Sequence, residues 1–307
     1  MRAIMPTVRA VMENKKGKWA QFMNARLTPM RELLQYAEER GIAIGAFEFW
    51  SFEVARAALT AADELSLPVI LQCGKLEIDR MGGLDGTVEA LLRAAKGVKA
   101  PVALHLDHAT SEEYCRAAVD AGFSSVMFDG SALPYEENSA TTRRVCEYAH
   151  SAGASCEGEL GRLRGEEGAV SSPEAAQTDP QEALRFCQET GVDAFAPSIG
   201  TAHGVYTFEP HLNISRLRQI RAFLPKTPLV LHGGSGTPMD QVQETIRNGI
   251  RKVNICTEIQ IAMGHAYMDV QSRPGFKYNC DALWGAGEAA ARALISSKMR
   301  AFALMDA

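Results

Sequence analysis

Short apolar runs, each followed by a helix-like stretch, recur between residues 42 and 256, and this alternation limits the possible folds more than any other feature. The runs are Ile42 to Phe47, Pro68 to Cys73, Val102 to Asp107, Ser124 to Asp129, Ser155 to Leu160, Asp193 to Ile199, Pro228 to Leu231 and Lys252 to Cys256. They have the length and apolar density of buried strands. Helical segments between them stop at Gly97, Gly122, Gly153 and Gly191, where a glycine readily takes the left-handed turn that ends a helix. An earlier helix is expected from Thr28-Pro29, with Thr28 as its cap and Pro29 in its first turn, ending at Gly41. The stretch from Ala282 to Met305 is also helical in pattern.

Strands alternating with helices predict a parallel sheet joined by right-handed crossovers. An open doubly wound sheet usually carries a glycine fingerprint after its first strand, and Phe47-Glu48-Phe49-Trp50 is not one. The expected fold is therefore α/β, a single (β/α)8 TIM barrel over residues 27–307 with C-terminal helices. Residues 1–26 stand apart as an N-terminal extension, in which Arg2, Arg9, Lys15, Lys16, Lys18 and Arg26 face only Glu13. An arm docked on a partner subunit and a basic tail both remain open for it.

The chain is 46% hydrophobic with a formal net charge of -5, which suits a sizeable core and argues against a general nucleic-acid binder. No apolar run reaches the length of a membrane span, and no secretory signal is evident. Seven cysteines lie scattered, without a CxxC pair, as small hydrophobes would in a reducing compartment. A cytoplasmic protein is expected.

In a closed barrel, chemistry gathers at the C-terminal strand ends. The third run closes with His105-Leu106-Asp107-His108. Two imidazoles flanking a carboxylate suggest a metal ligand beside an acid/base, although Asp107 would also serve as the cap of the helix that follows. The other ends bring Asp129-Gly130-Ser131, Glu157 and Glu159, Gly200-Thr201-Ala202-His203-Gly204, His232-Gly233-Gly234-Ser235-Gly236 and Asn254-Ile255-Cys256-Thr257. His108, His203 and His232 thereby converge on one mouth, the pattern of a catalytic zinc site with an open position. His105 falls on the other parity from His108 and is expected inside the barrel. The glycine-rich loop after the seventh strand and the end of the eighth form the usual place for a phosphate in a barrel.

Taken together, these segments resemble the class II, zinc-dependent ketose-bisphosphate aldolases, closest to the fructose- and tagatose-bisphosphate branch, over residues 27 to 302. The resemblance implies zinc held by His108, His203 and His232, with Asp129 and Glu159 able to hold a second divalent or monovalent cation. It implies Asp107 as the catalytic acid/base and Glu167, or its neighbour Glu166, as the loop carboxylate that exchanges the carbon-bound proton. Gly204, Gly233, Gly234, Ser235, Asn254 and Thr257 would contact phosphate and ketose. The implied reaction is reversible cleavage of a ketose (bis)phosphate to dihydroxyacetone phosphate and an aldehyde through a metal-stabilised enediolate, in a homodimer or homotetramer.

The chain departs from the family in places. The family's first strand commonly ends Ala-Phe-Asn, whereas here it ends Ala46-Phe47-Glu48. Gln72-Cys73-Gly74-Lys75 replaces a small, serine-rich stretch, and Thr257-Glu258 replaces Thr-Asp. The C-terminal Asp-Pro-Arg that binds a second phosphate in some members is not evident. An aldolase-like barrel turned binding or regulatory subunit is the alternative, and a metal-dependent hydrolase is a third. The complete set of expected ligands favours the enzyme.

Overall fold

The computed structural model describes residues 27–161, 177–202, 204, 206 and 210–305. The elements run α1 (Met30–Arg40), β1 (Ile44–Glu48), α2 (Phe52–Leu65), β2 (Val69–Cys73), α3 (Lys75–Arg80), α4 (Gly83–Ala94), β3 (Val102–Ala109), α5 (Glu112–Ala121) and β4 (Ser125–Phe128). They continue through α6 (Tyr135–Ser151), β5 (Ser155–Leu160), α7 (Pro180–Thr190), β6 (Ala194–Pro197), α8 (Ile214–Phe223), β7 (Leu229–Leu231), α9 (Met239–Arg247) and β8 (Ile250–Ile255). Helices α10 (Thr257–Ser272) and α11 (Cys280–Phe302) finish the described chain. The strands pair in parallel and in sequence order, and β8 closes onto β1. The expected eight-stranded barrel is what forms. The proposed 1–26 extension lies outside the described residues.

Local differences from the sequence expectation have physical causes. Thr28 does not cap α1: its backbone N–H donates to the Val102 carbonyl at 2.7 Å, tying the entering chain to the bottom of β3, and Pro29 takes the cap position without a side-chain bond. The short helix α3 was not expected, since six residues are too few to show a helical period. Asp107 is not a helix cap either. Ser111 fills that role for α5 by accepting from the Tyr114 amide.

Two cores follow from strand alternation. Outward residues such as Phe47, Leu71, Leu104, Phe195 and Val253 pack under the helices. Inward residues at the bottom of the barrel, Ile44, Ala46, Ile70, Ala103, Ala194, Ala196 and Val230, are small or branched, and α1 plugs that end with Met30, Leu33, Leu34 and Ala37. Higher up, the same inward columns turn polar: Ala46 gives way to Glu48, Ile70 to Gln72, and Ala103 to His105 and Asp107. The polarity of the mouth is thus written along single strands.

His105 occupies the middle layer, as expected from its parity. It is fully buried, with Nδ1 2.8 Å from Ser125 Oγ. Burial, aided by Lys252, lowers its pKa to about 3. The native imidazole is therefore neutral, while the unfolded one takes up a proton near pH 6.5. A histidine with a depressed native pKa contributes stability above its unfolded pKa and loses it as the pH falls towards the native one. We expect His105→Gln to flatten the loss of stability between about pH 6.5 and pH 3 by up to about 1.4 kcal/mol per pH unit, measured by urea denaturation across that range.

Candidate active site

The end of β3 departs from regular strand geometry. Pairing with β4 shifts register between Leu106 and Ala109, and His108 sits in the left-handed region at φ 46. In a regular strand Asp107 and His108 would face opposite sides of the sheet. The irregularity turns His108 back to the mouth, a strained conformation of the kind that gathers at functional sites. His108 then meets His232 edge-on, with ring centroids 4.7 Å apart.

Carboxylates surround these imidazoles. Asp129 Oδ2 lies 2.8 Å from His108 Nδ1, and its Oδ1 accepts from the Ser131 amide. Glu159 Oε2 lies 3.2 Å from His232 Nδ1 and 3.9 Å from His108 Nδ1. Glu157 Oε1 takes the other face of His232, 2.8 Å from Nε2. Burial alone would lower the His232 pKa, but Glu157 and Glu159 outweigh it and raise it to about 10. Burial likewise opposes the charge of Asp129, and the His108 hydrogen bond prevails, holding that carboxyl well below its usual range. Such electron-rich imidazoles, each braced by a carboxylate, are the environment of histidine ligands to a metal.

Two donor sets share His108. Asp107, His108 and His232 offer ligand atoms within 4.8 Å of one another, and so do His108, Asp129 and Glu159. This donor chemistry, nitrogen and oxygen at a buried mouth, fits a zinc ion with a neighbouring cation position. His203, Glu166 and Glu167 lie outside the described residues.

Beside these sets opens a cavity lined among others by Asp107, His108, Gly204, Gly233, Ser235, Asn254 and Thr257. The loop after β7 is shaped by close backbone approaches. Gly233 has φ 63, and a Cβ there would stand 2.3 Å from the Ala202 carbonyl oxygen. Gly234 is not among the lining residues: its amide donates to the Asn254 carbonyl at 3.2 Å, and a Cβ would meet that same oxygen at 2.8 Å. It splices the β7 and β8 loops. Ser235 Oγ accepts from the amides of Cys256 and, at 3.4 Å, Glu258, at the start of α10. The Tyr206 hydroxyl accepts from the Ala202 amide and donates to the Gly233 carbonyl. Nothing local in the sequence marks Tyr206, because its role appears only when β6 and β7 are neighbours.

The sequence also gave little notice of Lys252. Its Nζ lies 2.9 Å from Glu157 Oε2, with both side chains 0% exposed. Burial works against ionisation of Glu157, and Lys252 with His232 overcomes it, holding the carboxyl far below its usual range. Lysine, glutamate and histidine thus form one chain from β8 through β5 to β7.

The family model described as class-II fructose-bisphosphate aldolase matches residues 28–306. The chain belongs to that family. The fructose-bisphosphate aldolase of Geobacillus stearothermophilus is 40% identical over 278 residues, 90% of this chain and 96% of that one. The fructose-bisphosphate aldolase of Staphylococcus aureus is 38% identical, covering 90% and 97% of the two chains. Among solved structures, the YdjI aldolase of Escherichia coli K12 superposes with a TM-score of 0.79 at 31% identity, covering 90% of this chain and 97% of that one. A class II aldolase is a carbon–carbon lyase, and the class is zinc-dependent. The alternative of a non-catalytic barrel is not favoured.

Removing one partner of a buried ion pair leaves an uncompensated charge, at a cost of about 3–5 kcal/mol. Lys252→Met is expected to lower the unfolding free energy by about that amount in urea titrations. Lys252→Met with Glu157→Gln should recover most of it.

Proposed function

We propose that this aldolase reversibly cleaves a ketose phosphate or bisphosphate to dihydroxyacetone phosphate and an aldehyde, with zinc held by His108, His203 and His232. The observation that carries the reading is the meeting of Asp107, His108 and His232, with donor atoms within 4.8 Å, at a cavity that Asp107 and His108 line together with Gly233, Ser235, Asn254 and Thr257. Those four, with Gly204, would bind the phosphate. The start of α10 adds the partial positive charge of a sixteen-residue helix to that side. Gly234 supports this pocket from behind.

Zinc, when bound, supplies a Lewis acid for the ketone and hydroxyl oxygens of the substrate. Asp129 and Glu159 brace the imidazoles and provide the donors for a second divalent or monovalent cation. Asp107 would act as base on the C4 hydroxyl in cleavage and as acid in condensation. Its Oδ2 accepts from Gln72 Nε2 at 2.8 Å, while Oδ1 has no hydrogen-bond partner among the described residues. Burial resists its charge, but His108, Lys252, His232 and His105 together hold its pKa below the usual value, so it is a carboxylate near neutral pH. Glu167, or Glu166, would exchange the carbon-bound proton.

A homodimer or homotetramer in the cytoplasm belongs to the same reading. It accords with the described residues, among which no cysteine forms a disulfide and no helix is long and apolar enough to cross a membrane. The ligand is a small sugar phosphate and not a nucleic acid or a bilayer.

The decisive assay is release of triose phosphate from ketose phosphates with and without chelator. Activity should vanish on chelation and return with zinc, and chelator-insensitive turnover would exclude the mechanism. Asp107→Ala should keep its metal and lose roughly 10²–10⁴-fold in turnover, as expected for an acid/base. His203→Ala should lose the metal, and stoichiometric zinc retained in that variant would remove His203 from the ligand set.

A further inference from the structure

Two carboxyls share one amide at the rim of the cavity. Gln72 Nε2 lies 2.8 Å from Asp107 Oδ2 and 3.2 Å from Glu48 Oε2. A primary amide has two N–H donors, and this placement gives one to each carboxyl. The second oxygen of Glu48 accepts from the Gly74 amide at 3.0 Å, just past the end of β2. Barrel register produces the arrangement: Glu48 pairs with Gln72 across β1 and β2, and Gln72 pairs with His105 across β2 and β3. Asp107 is the next inward residue above His105. Glu48, Gln72 and Asp107 therefore follow one another around the wall, all nearly buried.

The surroundings of Glu48 distinguish it from an ordinary ion-pair carboxylate. Its two hydrogen bonds come from neutral donors, Gln72 and Gly74. The charged groups that face it are acids. Burial first, then the charges of Asp107 and Glu77, push its pKa well above the carboxylate range. Glu48 holds one N–H of the Gln72 amide while Asp107 holds the other. It also keeps Gln72 the right way round. Were the amide to flip, Gln72 Oε1 would point at Asp107 Oδ2, setting two acceptors against each other in a buried site.

We propose that Glu48, acting through Gln72, is a positioning residue that fixes the Asp107 carboxylate so that Oδ1 faces the reacting hydroxyl. This rests on the assignment of Asp107 as the acid/base. The amide expected at position 48 in the family would present one acceptor oxygen, whereas here both Glu48 oxygens accept, from Gln72 and Gly74. Misplacing a catalytic group by about 1 Å costs on the order of 10²-fold.

The test uses the zinc-loaded full chain with a ketose phosphate that the wild type cleaves. Glu48→Leu is expected to lower kcat by ~10²-fold with KM changed less than about threefold. Gln72→Leu should give the same loss, and the double variant no more than Gln72→Leu alone, since both act on one carboxylate. Glu48→Gln, which keeps one acceptor and the side-chain size, should recover part of the kcat. Exchange of the carbon-bound proton of dihydroxyacetone phosphate does not use Asp107, so Glu48→Leu should support it at close to the wild-type rate. A rise in KM at unchanged kcat would overturn the proposal by making Glu48 a substrate contact. Multiplicative losses in the double variant, or exchange lost in step with cleavage, would overturn it as well. A wild type without chelator-sensitive cleavage, or an Asp107→Ala variant with full turnover, would defeat the underlying assignment instead.

Discussion

A lysine and a glutamate, both 0% exposed, meet in the middle of the barrel, and the mouth above them depends on that pair. An isolated charge at this depth is prohibitive, so neither Lys252 nor Glu157 is tolerable without the other. The two oxygens of Glu157 divide the work. Oε2 faces Lys252, and Oε1 fixes His232 Nε2 at 2.8 Å. With that nitrogen taken, Nδ1 lies 3.2 Å from Glu159 Oε2. The orientation of an imidazole at the rim is thereby set, through Glu157, by a cation on the neighbouring strand. His105, in the same layer, stays neutral and fills the remaining space against Ser125.

Above this layer the backbone itself is bent to the task. A parallel strand offers the mouth every second side chain, yet Asp107 and His108 are both present there. The register shift and the positive φ of His108 place two adjacent residues in one cluster. The strain is held by the Asp129 hydrogen bond to His108 and by the Asp129 amide, which donates to the Ala109 carbonyl at 2.7 Å. The loops after β6 and β7 are fastened in a comparable way, by Tyr206 between Ala202 and Gly233 and by a glycine contact too close for any Cβ.

Much of this was legible in the chain because it is periodic or local. The strands announced themselves as short apolar runs, and their polar last residues pointed to the mouth once a barrel was assumed. The parity that placed His105 inside is the same rule that would have sent His108 outside, and the sequence carries no sign of the irregularity that rescues it. Glu157 was visible as a carboxylate on β5, but its partner Lys252 is 95 positions away, in a run that reads as a plain strand start. The contacts of Gln72 and Tyr206 were silent for the same reason: their partners come from other strands, and only closure of the barrel brings them together. The misjudged Thr28 cap shows the converse. A good local cap signal lost to a long-range backbone bond with Val102.

Two departures from the family pattern, Glu48 and Glu258, look alike in the sequence and diverge in the structure. Glu258 stands beside the cavity but does not line it. Its Oε1 accepts from the Gly236 amide, and Oε2 lies 2.5 Å from Lys298 Nζ on α11. Compared with aspartate, its extra methylene gives the carboxylate a longer reach, and here it clips the β7 loop to the C-terminal helix. That change is absorbed by scaffolding. Glu48 lines the cavity and is hydrogen-bonded to the amide that holds Asp107. The longer side chain at position 258 alters how a loop is fastened, whereas the acid at position 48 meets the amide that holds the reacting carboxylate. Differences among related barrels at the end of β1 should therefore bear on the chemistry more directly than differences at the start of α10.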